Sequence, residues 1–264
     1  MESPKIDYIQ SKDNKTIKHI ISLQQRKYRQ KFGEYTVEGI RAVTDIGKKH
    51  FLRSILIRES KRSELEPLVE KGFTVSSVYV VQDPIFDKIE HSVNGQGILG
   101  IAKKCVNDLH SLIVEDGLYV ALDGVQDPGN LGTIIRTAVA AGAKGIFLLK
   151  GTVDPYNEKC IRSTMSALCN IPIFEDVTLS EFYDFIKDNT IKTYVTSLEN
   201  AKPYHTISYP KRTMIILGNE GNGVSREIIE MCDQAITIPM YGDIESLNVS
   251  IAAALCMYKV REQI

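Results

Sequence analysis

The sequence predicts an α/β protein with a parallel sheet in its C-terminal part and a smaller α/β domain before it. Strand-like apolar segments alternate with helix-like segments along the chain, a pattern typical of α/β proteins. Three segments, beginning at Val120, Met214 and Ile238, each consist of an apolar strand, a polar Gly- or Asn-containing loop and a helix. Loops that follow the carboxyl ends of parallel strands line the ligand crevice of open sheets. The three loops therefore predict one composite binding site.

The first 105 residues predict the small α/β domain. Hydrophobic periodicity indicates helices over 14–31, 40–49, 63–72 and 83–91, and strands over 34–39, 53–58, 74–81 and 97–104. Residues 106–117 show no clear period and are interpreted as a linker.

The second alternation begins at Leu118. Strands are expected over 118–122, 145–149, 171–174, 192–197, 213–217 and 235–238. Helices are expected over 130–141, 157–168, 179–188, 223–231 and 247–262. Strand–helix–strand crossovers favour parallel pairing.

Composition excludes several classes of protein. The chain is 43% hydrophobic and 25% charged, as expected of a globular protein that buries a core. No apolar run reaches the roughly 18 residues of a membrane span, and the first residues lack a signal-peptide pattern, so a cytoplasmic protein is expected. The five cysteines form no Cys-x-x-Cys pair and have no neighbouring His cluster. This spacing argues against structural zinc and a disulfide framework, and we expect no metal.

Charge is distributed unevenly along the chain. Residues 1–62 carry 15 Lys and Arg against 7 Asp and Glu, whereas the remainder carries 17 against 26. A basic N-terminal part in a nearly neutral protein indicates a polyanionic partner. A solvated lysine-rich helix is the alternative that charge alone leaves open.

The first loop, "DGVQDPGN", leads into a helix with one apolar stripe. Asn130 is the expected N-cap. Arg136 is expected opposite the stripe, on the side of Gly129, Gly132 and Thr133. An arginine near a Gly/Asn loop suits contact with phosphate or carboxylate, although a plain exposed arginine fits the pattern equally well.

The other two loops add polar candidates. "GNEGNGVS" does not match G-x-G-x-x-G, and the chain contains no P-loop sequence, so a standard nucleotide fingerprint is poorly supported. Glu220 is either a functional carboxylate or a cap of the next helix. Ser246 is the expected N-cap of the last helix, with Leu247 and Asn248 in its first turn.

Together, "DPGNLGTIIRTA", "LGNEGNGVS" and "IPMYGDIESLNVSIAAAL" resemble the signature motifs of the SpoU (TrmH-like) family of RNA 2′-O-ribose methyltransferases, within the SPOUT superfamily. "VDPYNEKCIRSTMSALCNIPI" resembles the connecting segment, with Ser166 where glycine is usual. The resemblance covers residues 118–264 and implies a deep trefoil knot, S-adenosylmethionine as cofactor and a homodimer.

Site residues follow from the same resemblance. Arg136 is implied as the central catalytic residue, and four others would orient it and the ribose: Asn130, Glu220, Ser246 and Asn248. S-adenosylmethionine would bind against Leu217, Gly218, Ile238, Met240 and Leu247. Because a guanidinium rarely loses its proton, Arg136 is either perturbed into a base or stabilises alkoxide charge while another group takes the proton.

"QQRKYRQKFGEYTVEGIRAV" is similar to the start of the family's substrate-binding domain, which resembles small ribosomal proteins that bind kinked RNA. Tyr28, Phe32 and Tyr35 are candidates for stacking on bases. The cations expected to bind RNA are Arg26, Lys27, Arg29, Lys31 and Arg41. The resulting division is an RNA-binding domain over 1–105, a linker over 106–117 and a methyltransferase domain over 118–264.

The predicted function is S-adenosylmethionine-dependent methylation of a ribose 2′-hydroxyl in structured RNA, with 23S-type rRNA favoured over tRNA. A tRNA methyltransferase and a non-catalytic RNA-binding assembly factor are the alternatives. A nicotinamide-dependent oxidoreductase is disfavoured by the missing fingerprint.

Overall fold

The computed structural model describes residues 6–49, 51–64, 75–92 and 95–264, which form two compact units. The first comprises Met1–Cys105 and Tyr156–Cys169, and the second comprises Val106–Pro155 and Asn170–Ile264. The segment Tyr156–Cys169, expected to lie in the C-terminal domain, therefore packs with the N-terminal residues. In the described part of the chain, no helix has the length and apolar character needed to cross a membrane.

The N-terminal elements form a mixed sheet flanked by short helices. In chain order they are β1 (Ile6–Ile9), α1 (Lys15–Ser22), α2 (Arg26–Phe32), β2 (Glu34–Glu38), α3 (Ile40–Gly47), β3 (Leu52–Arg58), β4 (Ser77–Val81), α4 (Asp83–Phe86) and β5 (Ile98–Lys103). The sheet order is β1-β4-β3-β5-β2, in which β5 runs antiparallel to both of its neighbours. Strand β1 was not predicted, and it pairs parallel to β4.

The helix expected over residues 14–31 is two helices. The chain between α1 and α2 contains Leu23 and Gln24. Their carbonyl oxygens accept hydrogen bonds from the Arg29 guanidinium of α2, at 2.7 Å and 2.8 Å. Carbonyl groups at a helix end need such partners. The helix expected over 63–72 falls largely on residues outside those described. A 3₁₀ helix at Glu59–Glu64 precedes them.

The second part of the chain continues the alternation. Its elements are β6 (Gly117–Asp123), α5 (Pro128–Ala140), β7 (Gly145–Leu149), α6 (Glu158–Thr164), β8 (Ile173–Val177), α7 (Leu179–Asp188), β9 (Lys192–Thr196), β10 (Lys202–Pro203), β11 (Arg212–Gly218), α8 (Arg226–Met231), β12 (Gln234–Thr237) and α9 (Val249–Arg261). All predicted strands are present, and the two-residue β10 is an addition.

The second unit is built on a parallel sheet, as predicted. Its order is β10-β12-β9-β11-β6-β7-β8, and every pairing is parallel. Phe147 of β7 lies in its core, with ring centroids 5.0 Å from Phe174 and 4.8 Å from Phe185. The predicted linker contributes Leu109 and Leu112 to the packing around this core. The predicted trefoil knot stays a prediction, because strand order alone does not determine how a chain is threaded.

Candidate functional site

Strands β6 and β11 place two predicted loops side by side. In the parallel register, Gly218 at the end of β11 lies opposite Asp123 at the end of β6. The following loops are joined by hydrogen bonds. Asn219 Nδ2 donates to the Gly124 carbonyl oxygen (2.8 Å), and the Ser225 N–H donates to Asp123 Oδ2 (2.7 Å).

The loop after β11 is a tight turn organised by Asn219. The backbones of Asn219 and Gly223 exchange two hydrogen bonds, and Asn219 Oδ1 accepts from the N–H groups of Gly221 (2.9 Å) and Asn222 (3.0 Å). Gly223 has a φ of +70°, which favours glycine. A Cβ on Gly218 would lie 2.1 Å from the Gly223 carbonyl carbon. The turn therefore folds back onto the end of its own strand.

This turn presents the Glu220 carboxylate to the first loop. Oε2 accepts from the Gln126 N–H (3.1 Å), while Oε1 accepts from the Asp127 N–H (3.2 Å) and from Asn130 Nδ2 (2.9 Å). Burial opposes ionisation of Glu220, but these hydrogen bonds outweigh it and lower the pKa of the carboxyl. Glu220 is therefore an ionised acceptor at neutral pH and joins two loops.

The last loop is tied into the same chain of hydrogen bonds. Asn248 Nδ2 donates to Asn130 Oδ1 (2.9 Å), and Asn248 Oδ1 accepts from the Ser250 N–H (2.9 Å) and hydroxyl (2.6 Å). The Ser250 N–H can only donate, which fixes the Asn248 amide with its nitrogen toward Asn130. Asn130 in turn must direct its nitrogen to Glu220. The structure thus brings together Glu220, Asn130 and Asn248 from the three predicted loops.

Two predicted helix caps are wrong. The N-cap of α5 is Asp127, whose Oδ1 accepts from the Asn130 N–H (2.9 Å). Asn130 therefore lies in the first turn, with its side chain free to join Glu220 and Asn248. The N-cap of α9 is Asn248, and Ser246 is an exposed residue two positions earlier. In both cases a nearby Asp or Asn side chain, and not the predicted residue, accepts a hydrogen bond from an N–H of the first helical turn.

Arg136 lies on the exposed face of α5, with Gly129 seven residues and Thr133 three residues before it. At 100° per residue these three positions share one side of the helix. Gly132, expected on that side, is buried. Among the described residues, no carboxylate forms an ion pair with Arg136. The guanidinium is therefore exposed to solvent beside the first loop.

The expected cofactor residues lie at strand ends and in the last loop. Leu217 and Gly218 end β11, while Ile238 and Met240 follow β12, which lies two strands away in the sheet. Leu247 directly precedes the α9 cap and is half-buried, as are Ile238 and Met240. Within the described chain, the space that a Cβ would occupy at Gly223 and Gly242 is open. Apolar side chains and open glycines fit a partly apolar ligand such as S-adenosylmethionine.

In the first unit, α2 presents a basic and aromatic surface. The rings of Tyr28 and Phe32 stack with centroids 6.1 Å apart. The ammonium groups of Lys27 and Lys31 lie 4.8 Å and 5.5 Å from those two ring centroids. Both lysines are exposed. We call these four residues the α2 face.

The other predicted RNA-binding residues have different surroundings. Arg26 is half-buried, and Arg41 is exposed on α3 with Asp45 3.8 Å away. The prediction that Arg29 binds RNA is wrong, because this residue is only 5% exposed and its guanidinium binds main-chain carbonyls. The prediction that Tyr35 stacks on a base is also wrong, because this residue is fully buried in β2.

Sequence reasoning missed Asp127 and Asn219 as organisers of the loops. Asp127 directly precedes Pro128-Gly129, a position typical of a cap before a helix with proline at its first residue. Asn219 follows the last residue of β11, where an asparagine before glycines favours an Asx turn. Both signals were readable in the sequence.

Among the described residues, one group of potential metal ligands lies in the first unit. Ligand atoms of Glu38, His91 and Glu158 lie within 4.8 Å of one another. Both Glu38 oxygens already accept hydrogen bonds, from the His91 N–H and the Ser92 hydroxyl, and Glu158 pairs with Arg162. This geometry is explained by hydrogen bonds within the protein, and the absence of a metal stays a prediction.

Comparison with protein families gives two matches along the chain. Residues 117–258 match the SpoU rRNA Methylase family, and residues 14–100 match the MRM3-like substrate binding domain. A curated relative from Bacillus subtilis, the 23S rRNA (guanosine(2553)-2'-O)-methyltransferase RlmP, is 32% identical over 256 residues. That alignment covers 96% of this chain and 98% of the relative.

Solved structures share the fold over nearly the whole chain. The AdoMet-bound rRNA methyltransferase from Sinorhizobium meliloti has a TM-score of 0.87 and 30% identity, covering 97% of this chain and 98% of its own. The SpoU methyltransferase AviRb from Streptomyces viridochromogenes, solved with AdoMet, has a TM-score of 0.86. It covers 95% of this chain and 98% of its own, and at 23% identity it shows the fold alone.

Proposed function

Because the chain belongs to the SpoU rRNA methylase family, we propose that it methylates a ribose 2′-hydroxyl of 23S-type ribosomal RNA. The observation that carries this proposal is the hydrogen-bonded chain Glu220–Asn130–Asn248, which joins the three motif loops at one edge of the parallel sheet. The predicted family, α/β fold, methyltransferase class and methyl donor are confirmed by the comparisons.

For methyl transfer, the protein must align a weak nucleophile, the ribose 2′-hydroxyl, and stabilise the charge that develops on its oxygen. S-adenosylmethionine supplies a methyl group already activated by its positive sulfur. Leu217, Gly218, Ile238, Met240 and Leu247 would hold this cofactor with main-chain atoms and apolar side chains.

We propose that Arg136 acts on the ribose. A guanidinium with no carboxylate partner in the described chain can donate to the 2′-oxygen and stabilise its developing negative charge. Asn130 and Asn248 hold fixed amide orientations through Glu220 and Ser250. Ser246 lies exposed in the loop two residues before Asn248 and offers a further hydroxyl to the ribose or phosphate.

Substrate choice is assigned to the N-terminal part. We assign RNA binding to 1–105, connection to 106–117 and methyl transfer to 118–264, with Tyr156–Cys169 packing in the first unit. The substrate-binding family match over 14–100 and the excess of basic residues in 1–62 support this assignment. The name of the Bacillus subtilis relative supports 23S rRNA over tRNA. We place the activity in the cytoplasm, as expected of an enzyme that modifies ribosomal RNA.

The direct test is incorporation of labelled methyl groups from S-adenosylmethionine into total RNA from a strain that lacks the gene. We expect label at ribose 2′-oxygens of 23S rRNA. Label in tRNA alone would favour a tRNA enzyme, and no label in any RNA would favour a non-catalytic RNA-binding factor. Calorimetry supplies the control for cofactor class, since preferential binding of NAD would contradict methyl transfer.

The α2 face gives a prediction for RNA binding. Replacing Lys27 and Lys31 by alanine should weaken RNA binding at least tenfold and lower the slope of log K against log salt by roughly 1.5–2, because two phosphate contacts are lost. Lys202→Ala/Lys211→Ala removes two exposed lysines of the second unit and is the matched control. Equal salt slopes for the two double variants would remove the α2 face from the RNA interface.

We propose a homodimer formed through α9. Ile251, Leu255 and Tyr258 are 51%, 38% and 48% exposed and share one stripe of the helix, opposite its buried side. Ile251→Glu/Leu255→Glu should convert the dimer to a monomer in light scattering. Tyr183→Glu on α7, where Tyr183 is 47% exposed, is the control and should leave the dimer intact. Loss of the dimer only in the Tyr183 variant would place the interface on α7 instead.

A further inference from the structure

Two cysteines far apart in the sequence meet inside the first unit. Cys105 follows β5, and Cys169 lies in the 3₁₀ helix Ala167–Asn170. Their sulfur atoms are 3.4 Å apart, and the Cys105 thiol donates to Cys169 Sγ. Both residues are half-buried, so small oxidants reach them from solvent. A disulfide needs its sulfurs at about 2.05 Å, a further approach of about 1.4 Å.

The neighbours of this pair stabilise negative charge on Cys169. The Tyr35 hydroxyl lies 3.4 Å from Cys169 Sγ. The Lys49 ammonium donates to the Cys169 carbonyl oxygen at 2.8 Å, which places a cation beside the residue. Tyr156 holds the other partner, since its hydroxyl bonds both the N–H and the carbonyl oxygen of Cys105, each at 3.2 Å.

These contacts set the ionisation of the pair. The hydrogen bond from Cys105, opposed by burial and supported by Tyr35 and Lys49, lowers the pKa of Cys169 to about 7. The same bond and burial raise the pKa of Cys105. Burial raises the pKa of Tyr35 well above its usual value, so its hydroxyl keeps the proton and acts as the donor. One thiolate and one thiol then share the site near neutral pH.

We propose that Cys105 and Cys169 form a redox-active dithiol that a hydroperoxide oxidises to a reversible disulfide. The Cys169 thiolate attacks one peroxide oxygen, the O–O bond breaks, and the leaving hydroxide takes a proton to become water. Cys105 then attacks the sulfenic acid sulfur, losing its proton, and the S–O bond breaks to release a second water. Two electrons pass from the two sulfurs to one hydrogen peroxide. A dithiol reductant reverses the change by thiol–disulfide exchange.

The other three cysteines differ from Cys105 and Cys169 in their pKa or in their burial. Burial raises the pKa of Cys256 to about 12, and burial is also the main cause of a pKa of about 12 for Cys232. Cys160 is fully buried in α6. The thiols of Cys256 and Cys232 stay protonated, and burial shields Cys160 from solvent, so all three react slowly. Oxidation is therefore directed to Cys105 and Cys169.

Formation of the disulfide should also change the thermal stability of the protein, because of where the two cysteines lie in the chain. Cys105 and Cys169 are the last residues of the two stretches that make up the first unit, and residues 106–168 lie between them in the chain. A crosslink across this long segment restricts the unfolded chain. The oxidised protein should therefore melt at a higher temperature than the reduced protein, and dithiothreitol should return it to the lower value.

The test is treatment of the reduced full-length protein with one equivalent of hydrogen peroxide, followed by alkylation and peptide mapping. The expected product is one peptide pair joined through Cys105 and Cys169, with two hydrogens lost and recovered on dithiothreitol treatment. Cys232→Ser, the control, should give the same pair. In Cys105→Ser, dimedone should trap Cys169 as sulfenic acid.

A rate measurement separates reactive geometry from a merely structural contact. Alkylation of Cys169 should reach half its maximal rate near pH 7, and Cys105→Ala, which removes the thiol donor, should move that midpoint upward by at least one pH unit. Peroxide products at other cysteines, a disulfide between two chains, irreversible sulfinic acid at Cys169 in the wild type, or an unchanged midpoint in Cys105→Ala would each overturn the proposal. None of these readouts depends on methyl transfer, so the test stands apart from the proposed function.

Discussion

Replacement of Arg136 by alanine is expected to lower the rate of RNA methylation at least a hundredfold while leaving S-adenosylmethionine affinity within about twofold. The guanidinium is exposed on α5 and has no carboxylate partner among the described residues, so its removal leaves the fold unchanged. Loss of one donor aimed at developing oxyanion charge typically costs roughly 10²–10³ in rate. Single-turnover methylation and calorimetry with the cofactor measure the two quantities.

Arg226→Ala is the matched control for this variant. Arg226 is also an exposed helix arginine, but it pairs with Glu230 four residues later on α8. Its loss should leave both rate and cofactor affinity near wild type. An Arg136→Ala enzyme within a few-fold of the wild-type rate would remove Arg136 from the chemistry.

Gly218→Ala is expected to damage both the fold and the cofactor site. Its Cβ would lie 2.1 Å from the Gly223 carbonyl carbon and 2.2 Å from the Val224 nitrogen, and main chain cannot move aside as a flexible side chain does. Overpacking of this kind costs roughly 3 kcal/mol, which corresponds to a Tm about 5–10 °C lower. Because Gly218 and its neighbour Leu217 are themselves among the proposed cofactor-binding residues, S-adenosylmethionine affinity should fall at least tenfold.

Gly221→Ala separates the clash from the general loss of a glycine. Gly221 lies in the same turn, has no positive φ, and its Cβ would meet only Asn219 Oδ1, at an ordinary 3.5 Å. Thermal unfolding and cofactor titration should give near-wild-type values for this variant. Equal losses in both variants would mean that the turn tolerates no side chain anywhere and that the contact at Gly218 is not special.

Much of the second unit could be predicted because its strands are buried on both faces. β7 and β9 begin where the apolar pattern places them, and every strand pair of the sheet is parallel, although α7 and α8 each connect strands that are not neighbours in it. Helix starts were less predictable. Ser246 and Asn130 are good cap residues by type, but Asn248 and Asp127 hold the first-turn N–H groups. Several Asx and Ser residues compete at each helix start, and tertiary hydrogen bonds decide between them.

In the first unit, the features that could not be predicted depend on contacts between distant parts of the chain. Arg29 and Lys31 look alike in a basic helix, yet one is buried against carbonyl oxygens and the other is exposed. β1 is short and pairs with a strand about 70 residues later, so no local pattern identifies it. The contact of Cys105 with Cys169 also joins distant segments. Long-range packing of this kind is not encoded in the period of any one segment.

The most direct test is to map ribose 2′-O-methylation at nucleotide resolution across rRNA and tRNA in a strain that lacks this gene. The strain is complemented with wild type, Arg136→Ala or Arg226→Ala. The account predicts one methylated ribose in 23S rRNA that disappears on deletion and returns with wild type and Arg226→Ala but not with Arg136→Ala. Unchanged 23S rRNA methylation after deletion, or its full return with Arg136→Ala, would contradict it.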